Sequence, residues 1–124
     1  MQRYEELNKS FINGEWTEGL SERTYDILNP YDNSVIATVR LATKEQLNES
    51  FEIAKKAQTE WTKTSANERK EVLRKAADYL KANREAIVDV VVRETGGTIL
   101  KANAEVQSSI DEIEESINMA DELY

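Results

Sequence analysis

Hydrophobic positions change their spacing about a third of the way along the chain. Up to residue 41 they occur in short runs separated by turn residues, as in Ser10–Ile12, Thr24–Leu28 and residues 35–41. From residue 42 onward they recur every three or four residues, which is the period of one helix face. The pattern predicts an α+β fold: three short strands with turns in residues 1–41, then about four helices in residues 42–124, together one partial domain.

Turn residues predict where the strands end. Asn13-Gly14 lies between two short apolar runs and is typical of a type I′ turn, which needs positive φ at both central positions. Pro30 cannot donate to a strand ladder and biases Asn29 away from helix, so Asn29-Pro30 ends the second predicted strand. We therefore expect short, separate strands rather than a large sheet.

Two capping boxes predict the starts of two helices. Thr43 with Gln46, and Ser65 with Glu68, have the hydroxyl and the N3 side chain at the required spacing. The apolar residues that share one face of the first helix are Leu47, Phe51, Ala54, Ala57 and Trp61. Those predicted for the inner face of the second are Val72, Leu73, Ala76, Ala77 and Leu80.

The segment from Asn83 to Gly97 allows two interpretations. Asn83 can cap a third helix that buries Ile87, Val88, Val91 and Val92. The β-branched composition of this run also fits a buried strand. Gly96-Gly97 is predicted to supply left-handed conformations at the end of the helix.

The last segment has the most regular period. Its apolar seam consists of Val106, Ile110, Ile113, Ile117, Ala120 and Tyr124. The opposite, largely acidic side consists of Asp111, Glu112, Glu115, Asn118 and Glu122. Such a stripe predicts an amphipathic helix and is far more often a packing face than a functional motif.

The amino-acid composition excludes several kinds of catalytic and binding site. The 124 residues contain neither Cys nor His, which excludes a thiolate nucleophile, a thiolate metal site and an imidazole base. The net charge of -8 lacks the basic footprint that nucleic-acid binding requires. The longest apolar run is residues 90–92 and the N-terminus has no signal-like segment, so we expect no membrane span and a cytoplasmic location.

Few residues remain as candidate sites. Carboxylate neighbours such as Glu114 and Glu115 point about 100° apart on a helix and do not converge on one substrate. Glu5 and Glu6 are adjacent in the same way. Glu94 is predicted in a last helical turn, where a negative charge opposes the helix dipole. This placement favours a cation or basic partner, although a simply exposed glutamate also fits.

An ordered set of motifs resembles the NAD(P)-dependent aldehyde dehydrogenase family. It begins with the run from Phe11 to Trp16 (FINGEW), followed by Asn29-Pro30 and residues 35–37 (VIA). An Ala-containing helix ending in Trp61 comes next. The following residues come after it: Arg69, Leu73, Ala77, Asp78, Tyr79, Leu80, Glu94, Thr95 and Gly96. The pattern is most similar to the benzaldehyde and vanillin dehydrogenase branch.

The resemblance implies a scaffold role within an aldehyde dehydrogenase-like α/β fold. The family's Cys nucleophile, Glu base and dinucleotide-binding glycines match no position here, so no catalytic or cofactor-binding residue is assigned. NAD or NADP would belong to the parent protein. By the resemblance, the Leu28 carbonyl and Glu94 are expected to bind a monovalent cation. Gly97 departs from the family's usual lysine.

Two functions follow from these observations. The first is a segment of an aromatic aldehyde dehydrogenase, inactive and without NAD affinity when alone, whose partners are the remainder of the parent chain and other copies of itself. The second is an acidic helical module whose apolar seam binds a partner helix. The strand-rich beginning favours the first, because an adaptor helix bundle has no need of it.

Overall fold

The computed structural model describes residues 8–120, which form four strands and then four helices. In chain order these are β1 (Ser10–Ile12), β2 (Glu15–Thr17), β3 (Thr24–Leu28), β4 (Val35–Arg40), α1 (Lys44–Trp61), α2 (Ala66–Ala82), α3 (Arg84–Thr95) and α4 (Ile99–Met119). The α+β prediction is confirmed. Four strands replace the three predicted ones because both arms of the Asn13-Gly14 turn form strands.

The chain divides into two compact units, one ending at Lys63 and the other beginning at Thr64. The first unit contains all four strands and α1, and the second contains α2, α3 and α4. The change from strands to helices near residue 41 is therefore a different boundary from the one between the compact units.

Two antiparallel hairpins make up the strand region. β1 pairs with β2 across a turn in which Asn13 and Gly14 have φ of 54° and 81°, as the type I′ prediction requires. β3 pairs with β4, and a register shift lies between Ile27 and Leu28. Each sheet has two strands, too few to bury a face without further cover.

Gln46 connects the start of α1 to the loop before β3. Its Oε1 accepts hydrogen bonds from the backbone N–H of Leu20 at 2.9 Å and of Thr43 at 3.2 Å. Its Nε2 donates to the carbonyl of Glu18 at 2.9 Å. The capping-box glutamine is therefore also a long-range link, and it is buried. Gly19 is buried beside it, where an added Cβ would lie 2.1 Å from the Arg40 carbonyl oxygen.

The apolar core of the second unit lies along α4. Val88 of α3 packs there with three α4 residues, Ala102, Val106 and Ile110, of which Ala102 and Ile110 are only 1% exposed. The partly buried residues around this cluster are Leu80, Ile87, Val91 and Val92. The strand alternative for residues 87–92 is therefore wrong, since burial on one side of a helix accommodates the β-branched run.

The predicted seam of α4 is confirmed in its central part. Val106 and Ile110 are buried, while Ile113 and Ile117 are half-buried. Tyr124 and Glu122 lie outside the described residues. Four residues of the acidic side are exposed: Asp111, Glu112, Glu115 and Asn118.

Both capping boxes form, but Asn83 does not cap α3. Thr43 and Ser65 accept from the N3 backbone N–H groups, as predicted. Asn83 occupies the N-cap position of α3, yet its Nδ2 donates to the Tyr79 carbonyl at 2.9 Å. Because α2 ends where α3 begins, the side chain is used by the preceding helix.

Gly96 and Gly97 differ in conformation. Gly96 has φ of 67° and donates its N–H to the Val92 carbonyl, which is the predicted C-cap. Gly97 does not have a positive φ, so the prediction of left-handed geometry at both positions was wrong for Gly97. One left-handed residue is enough to end α3 before Thr98 caps α4.

Two predicted helix faces are less buried than expected. On α2, Ala77 is buried, but Val72 is 51% exposed and Ala76 is also exposed. On α1, Leu47 is 52% and Phe51 is 67% exposed. On α2 the buried Ala77 lies on the predicted face, whereas on α1 the buried residue is Gln46, off the predicted face. An apolar face forms a core only where another element covers it.

Candidate functional site

Leu28 is the last residue of β3 and immediately precedes a hydrogen-bonded turn. Asn29 Oδ1 accepts from the Tyr31 N–H at 3.0 Å, and the Asn29 N–H donates to the Ser34 carbonyl at 2.8 Å. Asn33 has φ of 59°, a conformation that asparagine tolerates better than most residues. The Asn-Pro motif thus orders the connection from β3 to β4.

Asp32 completes this turn. Its Oδ1 accepts from the Ser34 hydroxyl at 2.6 Å and from the Ser34 N–H at 2.9 Å. These hydrogen bonds, the side-chain one foremost, lower the pKa of Asp32 below its usual range. Asp32 is therefore a structural carboxylate, charged at neutral pH and unsuited to general-acid catalysis.

Glu94 lies next to the end of α3 and is exposed. Within residues 8–120 no ion pair or side-chain hydrogen bond involves it, whereas the neighbouring Arg93 pairs with Asp89 at 3.7 Å. Leu28 belongs to the first unit and Glu94 to the second. The assignment of these two residues to a monovalent cation stays a prediction.

The acidic residues that the structure describes are scattered rather than clustered. Among residues 8–120, no group of three or more carboxylates is placed to hold a metal ion. Glu114 is paired with Lys81 at 2.5 Å, and Glu115 is exposed beside it. These two adjacent carboxylates therefore have different surroundings. Glu5 and Glu6 lie outside the described residues.

The Lys81–Glu114 pair borders an open cleft of about 330 Å³ between α2 and α4. Its lining residues are Arg74, Ala77, Asp78, Lys81, Glu114, Ile117 and Asn118. The hydrogen bond that the Lys81 ammonium donates to the Glu114 carboxylate raises the pKa of Lys81 above its ordinary value. The amine stays protonated at neutral pH, a state in which Lys81 is neither a base nor a nucleophile.

The residues that the structure describes do not fit a dinucleotide site. A phosphate-binding glycine loop follows a strand and opens a helix, whereas Gly96 ends α3. Thr98 caps α4 by accepting from the Lys101 N–H, so this N-terminus already has its side-chain partner.

No helix in the described part of the chain is long and apolar enough to cross a membrane.

Comparison with known proteins relates this chain to one part of longer proteins. The aldehyde dehydrogenase family model matches residues 16–124. The Bacillus subtilis (strain 168) protein AldY is 53% identical over 120 residues, covering 97% of this chain but 25% of AldY. Vanillin dehydrogenase of Corynebacterium glutamicum is 43% identical over 101 residues, covering 82% of this chain and 21% of that enzyme.

A solved structure shows the same relation in three dimensions. The crystal structure of an NAD-dependent benzaldehyde dehydrogenase from Corynebacterium glutamicum matches with a TM-score of 0.90 and 38% identity. The match covers 94% of this chain and 26% of that one. The chain thus spans about a quarter of the length of these relatives. Its strands and helices have the fold of an aldehyde dehydrogenase N-terminal region, and the chain belongs to the aldehyde dehydrogenase family.

Proposed function

We propose that this chain is the N-terminal scaffold segment of a cytoplasmic NAD(P)-dependent dehydrogenase that oxidises an aromatic aldehyde to a carboxylic acid. The observation that carries the proposal is the combination of coverage and composition. Nearly the whole chain matches AldY, yet it corresponds to a quarter of that protein and contains no cysteine. A family that works through a cysteine nucleophile must supply that residue from the other three-quarters.

The aromatic substrate class is supported by two relatives. The names of the vanillin and benzaldehyde dehydrogenases state aromatic aldehydes, and the second is NAD-dependent. In this proposal the chain's own residues provide packing surfaces and hold no proton, hydride or substrate. Lys81, an exposed ammonium at the edge of the cleft, is kept charged by Glu114 and takes no part in the reaction.

A chimaera tests the scaffold role. This chain replaces the matching segment of the vanillin dehydrogenase, and NADH formation is followed with vanillin as the substrate. We expect the chimaera to reduce NAD while the 124-residue chain alone shows neither turnover nor NAD binding by calorimetry. Aldehyde oxidation by the chain alone would contradict the proposal, as would a folded chimaera without activity.

The protein encoded by the reading frame that continues after Tyr124 can be used to test the substrate class. We expect this frame to continue into a sequence with a cysteine nucleophile, and the continuous protein to prefer benzaldehyde or vanillin over a short aliphatic aldehyde in kcat/KM. A preference for the aliphatic aldehyde would reject the aromatic class and leave the scaffold role intact. A stop codon with no adjoining dehydrogenase sequence would favour the acidic interaction module.

A further inference from the structure

One face of α1 carries an apolar stripe that no other described element of the first unit covers. The stripe consists of Leu47, Phe51 and Ala54, which follow one another at intervals of four and three residues and therefore share a helix face. All three are exposed. A contiguous exposed apolar face on a folded protein commonly marks a contact surface.

The stripe is not the side by which α1 is held in its own unit. Gln46, which bonds to the loop at residues 18–20, is buried, and Ile53 is half-buried. Both lie about 80° or more around the helix from every residue of the stripe. The helix therefore has one side engaged through Gln46 and another that remains available.

The relatives indicate which polypeptide could cover it. In the benzaldehyde dehydrogenase, the matching fold segment is 26% of a much longer chain. The TM-score of 0.90 shows that the segment keeps its shape there. The rest of that longer chain is therefore the polypeptide that could cover the α1 stripe.

We propose that the α1 stripe is the docking surface for the polypeptide corresponding to the remaining three-quarters of the dehydrogenase. This inference rests on the proposed scaffold function and adds to it the surface through which the scaffold is held. A second copy of the chain is the less suitable occupant, because each copy has a net charge of -8 and like charges oppose association.

Hydrogen exchange at the α1 backbone amides tests the docking directly. The isolated chain and a single-chain chimaera with the remainder of AldY are compared by mass spectrometry on peptides spanning Lys44–Trp61. Covered helices open less often, so we expect exchange in the chimaera to be slower by about tenfold or more. Equal exchange in the two proteins would overturn the inference.

Paired substitutions locate the contact. Leu47→Glu with Phe51→Glu puts two charges on the stripe, and Lys56→Ala with Thr59→Glu changes the net charge by the same amount at exposed positions on another side of α1. We expect the stripe variant to lose most of the protection in the chimaera and the control to keep it. An equal loss in both variants, or in neither, would contradict the proposal.

Further controls separate docking from folding, self-association and activity. If the charged stripe variant of the chimaera does not fold, the double variant Leu47→Ala with Phe51→Ala is compared with the double variant Lys56→Ala with Thr59→Ala. Equal protection in these two variants overturns the inference. Protection of α1 in the isolated chain could also grow with protein concentration and equal the protection in the chimaera. That result would assign the stripe to a second copy and would also overturn the inference. Stripe-dependent protection in a chimaera that oxidises no aldehyde supports docking and counts against the proposed function alone.

Discussion

The two compact units are stabilised in different ways. In the second, four residues of α3 and α4 form a buried apolar cluster. In the first, the residues described as buried are Gly19 and Gln46, and the order comes from two hairpin ladders and the hydrogen bonds of one glutamine. Similar amphipathic patterns in α1 and α4 thus lead to different burial, because neighbouring helices of the second unit cover the α4 seam, whereas no other described element of the first unit covers the α1 stripe.

The largest effect is expected in the core of the second unit. Ile110→Ala removes a side chain that is 1% exposed and leaves a cavity, which should lower the free energy of unfolding by about 2–5 kcal/mol. Urea unfolding followed by circular dichroism measures this loss. Ile99→Ala at an exposed position of the same helix is the control, and a similar cost for both would show that α4 is not the core helix.

A smaller effect is expected at Gln46 in the first unit. Gln46→Ala leaves the Leu20 N–H and the Glu18 carbonyl without their partner, at a cost of about 1–3 kcal/mol. Amide hydrogen exchange of α1 and of the loop at residues 18–20 should accelerate together. Gln58→Ala on the exposed part of α1 should change neither, and acceleration confined to α1 would reduce Gln46 to an ordinary cap.

Loss of one helix cap should cost less again. Ser65→Ala removes the hydroxyl that accepts from the Glu68 N–H and should destabilise α2 by about 1 kcal/mol. Exchange of the first-turn amides of α2 measures the loss locally. Ser108→Ala, in the middle of α4, is the matched serine substitution, and an equal response there would contradict the capping role.

The smallest effect is a dependence on pH at the same cap. Hydrogen bonds from the Ser65 backbone N–H and then its hydroxyl lower the pKa of Glu68. Because the folded pKa is below the unfolded one, this contribution is present above pH 4.5 and is lost as pH falls through the folded value. Glu68→Gln should flatten the acid limb of α2 helicity measured by circular dichroism, and an unchanged limb would reject this assignment.

Local sequence signals predicted the elements with little error. The Thr43 and Ser65 boxes, the Asn13-Gly14 turn and the Gly96 cap depend on a few adjacent residues, whose geometry is local. Asn83 was misjudged because two helices meet there and compete for one side chain. Pattern alone could not have shown that α2 ends at the residue before it.

Long-range features could not be read from the pattern. The contacts of Gln46 with residues 18 and 20 join segments more than twenty positions apart, and its capping-box role gave no signal of them. Exposure of Leu47 and Phe51 likewise depends on which element lies opposite. Thiolate and imidazole chemistry could be excluded from the sequence, since a residue type missing from the chain needs no structure to exclude it.

Gly19 and Gly97 should differ in how freely evolution can replace them. At position 19 any methyl group would meet the rigid carbonyls of Arg40 and Leu41, 2.1 and 2.4 Å away. At position 97 the nearest atoms belong to the adaptable side chains of Thr95 and Lys101, at 3.2 and 3.3 Å. A library randomised at both codons and selected for folding should therefore retain glycine at the first while drifting at the second.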